Sequence, residues 1–383
     1  MAKKKIVIEL RGVEFVNKGA ELMLMTILKL LREKYGDSVQ IVMERNIRVP
    51  VSKLKENNID VKFFFRKFGI KWEEIGKFFP FLLKPLGFVL PNKIDVILDG
   101  SGFAFGDQWG ANYARQRIAN FLPSWKRNNA KVILLPQAFG PFQDAELRKV
   151  MTKIIDGVDL IFAREEQSFE YLQEINPTDK IQLAPDFTNM IKGYVPADFD
   201  HVHNRIAIVP NYKMIEQRLS EEDYLHFLCE VANHLTAKGE QPFFLIHEGS
   251  RDRVIAEKAN TLLEREINVV HYEDPLAIKG IIGQCDFIVC SRFHGVVSAL
   301  SQAVPCISTS WSHKYEMLMK EYGVEDCVVS DLTKVDDVLA KIDDLLLEEN
   351  RTSVSRSLSQ AGEIQRERSK RTWEDIFNFI SQK

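Results

Sequence analysis

The amino-acid sequence predicts an α/β fold made of two Rossmann-like domains. Short β-branched or apolar runs alternate with longer helical patterns along most of the chain, which is typical of βα units around mainly parallel sheets. The length of 383 residues suits two domains. A looser stretch, 192–201, separates two such series. We therefore expect domains at 1–190 and 191–383 that face each other across a cleft, with the ligand at the carboxyl ends of their strands.

The elements of each domain follow from this alternation. The strands are short runs such as Phe287–Cys290, and the helices are longer segments with helical apolar spacing. In the first domain, strands are predicted near 5–10, 39–44, 60–65, 94–99, 131–135, 159–163 and 180–184, and helices near 19–35, 112–129, 144–156 and 166–175. In the second, strands are predicted at 205–209, 243–247, 269–272, 287–290 and 306–309, and helices near 221–238, 251–265, 275–284, 295–303 and 312–322. The charged tail 350–371 is predicted to be a solvated helix, and 373–380 to pack back onto a domain.

One segment, residues 62–93, departs from this pattern. It holds seven Lys or Arg, two Glu and eight Phe, a local charge of +5 in a chain whose net charge is −3. Its uncharged runs are far too short to span a bilayer. Two interpretations stay open, which are contact with an anionic membrane surface and an insertion whose Phe side chains pack on the core. The residues predicted to contact the membrane are Phe78, Phe79, Phe81, Leu82 and Lys84.

Composition argues against several classes of function. A dedicated nucleic-acid binder would carry a strong basic excess, and this chain has a net charge of −3. Its five cysteines form no CxxC pair, which argues against a disulfide framework or a cysteine zinc site, and we expect no bound metal. The first five residues run directly into a strand with no apolar leader. We therefore expect a cytoplasmic protein, with peripheral contact to the inner face of the membrane under the first interpretation of 62–93.

The most informative stretch follows the predicted strand Phe287–Cys290. Arg292 and His294 come directly after it, and Gly295 opens a helix of small and apolar residues. Backbone N–H groups at such a helix start can bind an anion. Arginine adds a fixed fork of donors for carboxylate or phosphate, and histidine can donate or accept a proton near neutral pH. The alternative is a buried histidine bonded to a carbonyl, which is common in proteins.

A second strand end carries Lys314, in the first turn of the helix after Ser308–Thr309. Lysine is not the residue that the helix dipole favours there, so a bound anion would explain it. A solvated lysine is the alternative. The loop from His247 to Asp252 also follows a strand and is either a substrate contact or a plain polar loop.

These residues resemble the polysaccharide pyruvyl transferase family. The resemblance is specific in Ser291-Arg292-x-His294, Val304-Pro305 and Trp311-x-x-Lys314. Weaker matches in the first half complete it over about residues 5–330, and they are Asn17-Lys-Gly19, Gly100-Ser-Gly102, Leu135–Phe142 and Ala163–Ser168. One departure concerns the first loop, where Ala20 and Glu21 follow Gly19 and members often carry Asp.

The resemblance implies a glycosyltransferase-B-like fold and transfer of pyruvate from phosphoenolpyruvate to a sugar as a ketal, without a further cofactor. That donor carries a carboxylate and a phosphate, so it needs several cations. Arg164, Arg292 and Lys314 are the predicted donor ligands, although Arg164 could instead pair with Glu165 or Glu166 on the surface. The acceptor would be a saccharide of a cell-surface polysaccharide pathway, either lipid-linked or not.

His294 is the predicted acid that protonates the methylene carbon of the donor. A carboxylate base would help a sugar hydroxyl attack, and the candidates near strand ends are Glu21, Asp99, Asp107 and Asp186. Each of them also fits a helix cap or a turn former.

Two other functions remain open at this stage. A sugar-nucleotide glycosyltransferase of the same fold would use Arg292 and Lys314 for a diphosphate and Glu316 for a ribose. A non-catalytic sugar- or membrane-binding module would need no acid at position 294. The acceptor sugar and the oligomeric state are not predicted by the sequence.

Overall fold

The computed structural model describes residues 5–63, 66–67, 70–71, 88–309 and 313–382. The chain forms two compact units. The first comprises Met1–Val16, Met23–Asp186 and Arg371–Lys383, and the second comprises Asn17–Leu22 and Phe187–Lys370. The main boundary between the units therefore lies between residues 186 and 187, and residues 371–383 belong to the first unit. The sequence pattern predicted a single boundary between residues 190 and 191. Among the described residues, no helix is long and apolar enough to cross a membrane.

The first unit is built on a parallel sheet of Rossmann type. Its order is β11-β10-β9-β7-β1-β2-β3-β6, with β8 added beside β9. Strands β1 and β7 are neighbours, paired with Arg11 opposite Asp99. The strands are β1 (Ile6–Arg11), β2 (Val39–Met43), β3 (Asp60–Lys62), β6 (Phe88–Val89), β7 (Val96–Asp99), β8 (Phe103–Phe105), β9 (Lys131–Phe139), β10 (Leu160–Ala163) and β11 (Ile181–Leu183), and a separate two-residue pair is β4 (Arg66–Lys67) with β5 (Ile70–Lys71).

Helices cover this sheet, and two of them start at side chains that cap them. Asp144 accepts a hydrogen bond from the Leu147 amide, and Glu165 accepts one from Ser168, at the starts of two helices. The segment predicted as one helix near 112–129 is instead two helices with a π-helical turn, Arg115–Ala119, between them. The helices are α1 (Lys18–Tyr35), α2 (Val51–Glu56), α3 (Gly110–Ala114), α4 (Leu122–Arg127), α5 (Ala145–Gly157) and α6 (Glu166–Ile175).

The second unit contains a six-stranded sheet of order β14-β13-β12-β15-β16-β17 with every pair parallel. Its two faces are buried in separate clusters, since Ala207 and Ile288 lie in one and Ile208 and Val289 in the other. The strands are β12 (Ile206–Val209), β13 (Pro242–Ile246), β14 (Asn268–His271), β15 (Phe287–Cys290), β16 (Cys306–Thr309) and β17 (Val328–Val329). The helices are α7 (Lys213–Gln217), α8 (Glu221–Ala237), α9 (Gly249–Leu262), α10 (Pro275–Ile282), α11 (Phe293–Leu300), α12 (His313–Glu321), α13 (Val335–Leu346) and α14 (Glu348–Ser381).

The predicted fold class, α/β with parallel sheets in two domains, is confirmed. The tail is one helix, α14, and the prediction that its end packs onto a domain is also confirmed. Trp373 and Ile376 in that end are 1% and 0% exposed. The ring of Phe377 contacts Tyr35 of α1 edge-on at 5.7 Å, and Lys131 Nζ donates to the Phe379 carbonyl at 2.6 Å.

Candidate functional site

The candidate site lies where the strand order of the second sheet reverses. Strands β12 and β15 are neighbours, but the chain continues from them to opposite edges of the sheet. In such sheets, ligands bind in the crevice outside the carboxyl ends of the strands at this point. Here β15 ends at Cys290, Arg292 follows as the N-cap residue of α11, and His294 lies in the first turn of that helix. The structure thus places Arg292 and His294 at the strand end where the sequence predicted them.

The guanidinium of Arg292 is held by two carboxylates. Its Nε donates to Asp252 Oδ2 at 2.8 Å, its Nη2 donates to Asp252 Oδ1 at 2.5 Å, and its Nη1 donates to Glu248 Oε2. Burial alone would lower the pKa of Arg292, but these two carboxylates raise it above its ordinary value. Arg292 is therefore a permanently charged fork, and three of its five N–H groups already have acceptors within the chain.

Asp252 is a fixed part of this arrangement. It lies in the first turn of α9, is 0% exposed, and accepts the Tyr212 amide on Oδ1 at 3.0 Å. Burial raises the pKa of its carboxyl, while Arg292 acts in the opposite direction. A carboxylate this deeply buried needs its cation, so Asp252 and Arg292 hold each other in place.

The ring of His294 packs against Gly19, in the first turn of α1. A Cβ added at Gly19 would lie 2.2 Å from His294 Nδ1 and 2.9 Å from its Cγ. Glycine is thus required for the imidazole to occupy this position. His294 lies in the first turn of its own helix and beside the first turn of a second one, where backbone N–H groups and helix dipoles favour an anion.

Lys18, next to Gly19, is a further buried cation of the second unit. It is 7% exposed, and its Nζ donates to Glu21 Oε2 at 2.9 Å and to the Glu273 carbonyl at 2.5 Å. Glu21, a predicted base candidate, is therefore ion-paired with Lys18. The sequence drew attention to the Asn17–Gly19 segment but did not select Lys18.

His247, which directly follows β13, is a buried histidine that lies near several basic groups of the site. It is 5% exposed, and its Nδ1 has no hydrogen-bond partner in the described part of the chain. Burial, and to a smaller extent charge repulsion from Arg292, His294 and Lys18, together lower its pKa to about 3. His247 is therefore neutral at physiological pH, beside three basic groups.

Lys314 is packed by aromatic rings. It is 9% exposed, and its Nζ lies 5.0 Å from the centroid of Phe293 and 5.6 Å from that of Tyr315. Phe293 in turn contacts the His294 ring edge-on at 5.4 Å. The solvated lysine considered from the sequence is wrong for this residue, because its stem is buried in the aromatic cluster beside His294.

The remaining candidates lie in the first unit. Asp99 ends β7, and its Oδ1 accepts the Ser101 hydroxyl at 2.5 Å, while Arg117 Nε lies 3.4 Å from Oδ2. Asp107 accepts the amides of 143 and 144 and so fixes a turn. Arg164 and Asp186 form a buried ion pair at 3.1 Å.

The second unit thus groups Glu21, Arg292, His294 and Lys314, while Asp99, Asp107, Arg164 and Asp186 belong to the first unit. Trp311 lies outside the described residues, and so do the residues predicted to contact a membrane, which are Phe78, Phe79, Phe81, Leu82 and Lys84. Sequence reasoning did not assign site roles to Lys18, Arg117, Glu248 and Asp252. The sequence drew attention to the polar loop 247–252, which holds Glu248 and Asp252, and to the Asn17–Gly19 segment, which holds Lys18.

Within the described ranges, no group of three His, Cys, Asp or Glu side chains could hold a metal ion.

Comparison with known proteins gives a consistent picture. The model of the family "Polysaccharide pyruvyl transferase" matches residues 17–313. The amylovoran biosynthesis protein AmsJ of Erwinia amylovora is 21% identical over 295 residues, which are 70% of this chain and 70% of AmsJ. Among solved structures, Anabaena HepE in complex with UDP and glucose has a TM-score of 0.61 at 12% identity, covering 99% of this chain and 100% of HepE. S. aureus MnaA with UDP has a TM-score of 0.60 at 14% identity, covering 99% and 98%. These structural neighbours support a glycosyltransferase-B-like fold.

Proposed function

Because this chain belongs to the polysaccharide pyruvyl transferase family, we propose that it transfers pyruvate from phosphoenolpyruvate to a saccharide as a ketal. The observation that carries the proposal is the setting of His294. Its imidazole lies between two helix starts and two residues after Arg292, and Lys314 Nζ lies 5.0 Å from the ring centroid of the adjacent Phe293. Arg292, Lys314 and the two helix starts are the groups proposed to bind the carboxylate and the phosphate of this donor.

His294 begins the proposed reaction as the general acid. Its imidazolium gives a proton to the methylene carbon of phosphoenolpyruvate, which leaves an oxocarbenium-like centre at C2. One sugar hydroxyl forms a bond to C2 and loses its proton, and the bond from C2 to the phosphate oxygen breaks. A second hydroxyl then closes the ketal. The carboxylate base accepts one hydroxyl proton and passes it to the departing phosphate, and the other hydroxyl proton restores the imidazolium, so the reaction as written needs no cofactor.

Glu21 is the proposed base among the four candidate carboxylates. It groups with the second unit, as His294 does, and its ion pair with Lys18 keeps a carboxylate beside Gly19. Asp107 is the weakest candidate because both of its oxygens accept backbone amides. The roles of Asp99, Asp186 and Arg164 stay predictions. In the case of Arg164, binding the donor would draw on a guanidinium that already holds Asp186.

A lipid-linked acceptor would place the protein at a membrane surface, and the basic aromatic segment 62–93 is the proposed contact. A free or nucleotide-linked saccharide would need no such contact.

The second candidate function is sugar-nucleotide-dependent glycosyl transfer, favoured by the UDP complexes of HepE and MnaA, which share this fold. In that case Arg292 and Lys314 would hold a diphosphate and Glu316, exposed in the first turn of α12, a ribose. A thermal-shift comparison separates the two functions, because a ligand that binds only the folded state raises the melting temperature. Stabilisation by phosphoenolpyruvate and not by uridine nucleotides supports pyruvyl transfer, and the reverse result contradicts it.

His294→Ala tests the assigned acid. We expect loss of phosphate release from phosphoenolpyruvate with donor binding largely retained. His226→Ala is the matched control, because His226 is an exposed histidine on α8 of the same unit. Turnover by His294→Ala at the wild-type rate would exclude His294 as the acid.

A further inference from the structure

The cation best suited to bind the donor already holds two internal carboxylates. Arg292 donates through Nε and Nη2 to Asp252 and through Nη1 to Glu248. Two carboxylates around one guanidinium leave this group with a local net charge of −1. An incoming anion would meet repulsion at the very fork that is expected to bind it.

The two carboxylates differ in how firmly they are held. Asp252 is completely buried, makes two bonds to the guanidinium and accepts a backbone amide. The Glu248 side chain is 25% exposed, and one bond joins it to the guanidinium, from the loop just before α9. Removing Asp252 would strand a buried charge, whereas the Glu248 carboxylate can turn toward water, where its charge is solvated.

We propose that Glu248 is an exchangeable counter-ion that occupies Nη1 of Arg292 until an anionic group of the donor replaces it. Asp252 keeps the fork oriented during the exchange. The inference deepens the proposed function, on which it rests for the identity of the donor. It makes Glu248 a specificity-determining residue. When Glu248 leaves, the hydrogen bond from Arg292 Nη1 to its carboxylate is lost, and only a ligand with an anionic group at that position replaces this bond.

The test compares Glu248→Gln with wild type for binding of phosphoenolpyruvate, UDP and inorganic phosphate by titration calorimetry. Removal of the competing charge should lower the Kd of the ligand that binds Arg292 by about tenfold, which is the scale of one hydrogen bond to a charged group. Glu248→Asp, which keeps the charge, should stay closer to wild type. Asp252→Asn should act in the opposite direction and weaken binding, because it loosens the fork. The control is Glu216→Gln. Glu216 lies on α7 and pairs with Arg251 of α9, and it is not one of the two carboxylates that hold Arg292.

The outcomes separate this inference from the proposed function. In one outcome, Glu248→Gln binds UDP more tightly than wild type does, and phosphoenolpyruvate binds to neither protein. The proposed donor is then wrong, while the exchange is supported. If phosphoenolpyruvate binds wild type and Glu248→Gln binds all three ligands no more tightly, the exchange is overturned while the donor stands. Weaker binding by Glu248→Gln would likewise overturn it, since it would make Glu248 a direct ligand.

Discussion

Replacement of Gly19 by alanine tests whether the position of His294 matters to the reaction. The added Cβ would lie 2.2 Å from His294 Nδ1, 2.9 Å from Cγ and 3.0 Å from Cε1, whereas ordinary van der Waals contact begins at 3.4 Å. Three ring atoms are affected at once, so the imidazole must move by about 1 Å or the first turn of α1 must yield.

The expected effect falls on turnover more than on stability. A misplacement of about 1 Å in a catalytic group costs on the order of 100-fold in rate. Alanine is a better helix former than glycine by up to about 1 kcal/mol, which offsets part of the steric cost to folding. Since the three atoms nearest the new methyl group all belong to the His294 ring, the donor KM should change far less than kcat.

The assay is phosphate release from phosphoenolpyruvate at saturating acceptor, together with the melting temperature. Gly362→Ala is the matched control, because Gly362 is also helical and its added Cβ would have no neighbour nearer than 3.7 Å. We expect Gly362→Ala to keep wild-type turnover. A kcat for Gly19→Ala within twofold of wild type would refute the claim that this contact positions the acid.

Three further predictions address stability and membrane contact. The unfolded chain binds a proton at His247 near pH 6.5, but the folded protein rejects it until about pH 3, so acid favours unfolding. Between these two pH values the free energy of unfolding should fall with decreasing pH by up to about 1.4 kcal/mol per pH unit. His247→Gln should reduce this slope, measured by urea titration at several pH values. Equal slopes for the variant and the wild type would contradict the prediction. Trp373→Ala should cost about 3–5 kcal/mol in denaturant unfolding, because the indole is buried, and a loss below about 1 kcal/mol would show that the end of α14 does not depend on it. Serine in place of the apolar residues in 78–83 should abolish sedimentation with anionic liposomes if that segment contacts the membrane, and unchanged binding would exclude the contact.

The fold was largely predictable because its strands and helices are marked locally. Strands at the core of each sheet consist mainly of buried apolar residues, as in Phe287–Cys290, and several helices begin at side chains that cap them. Most of what escaped prediction was short or irregular, and the exception is α13, a regular helix of twelve residues. Strands β6, β8 and β17 have only two or three residues, and the π-helical turn Arg115–Ala119 follows no apolar period. Pro123, at the start of α4, marks where the single helix predicted near 112–129 is interrupted.

The site was predictable only where strand ends carry chemistry-bearing residues. Arg292 and His294 follow directly from the end of β15, because that position faces the crevice of the sheet. Their partners are distant in sequence, since Gly19 precedes His294 by 275 residues and Glu248 precedes Arg292 by 44. No local pattern encodes which carboxylate meets which cation, so the occupied state of Arg292 and the burial of Lys314 among aromatic rings required coordinates.

The measurement that tests the central claim most directly is the reaction of the full chain with phosphoenolpyruvate in deuterium oxide, with a panel of lipid-linked and nucleotide-linked saccharides as acceptors. Proton delivery to the methylene carbon predicts one deuterium in the methyl group of the product ketal, with one phosphate released for each ketal formed. Mass spectrometry of the product reads both the transfer and the label. Glycosyl transfer from a sugar nucleotide without phosphate release, or a ketal whose methyl group carries no deuterium, would contradict the account.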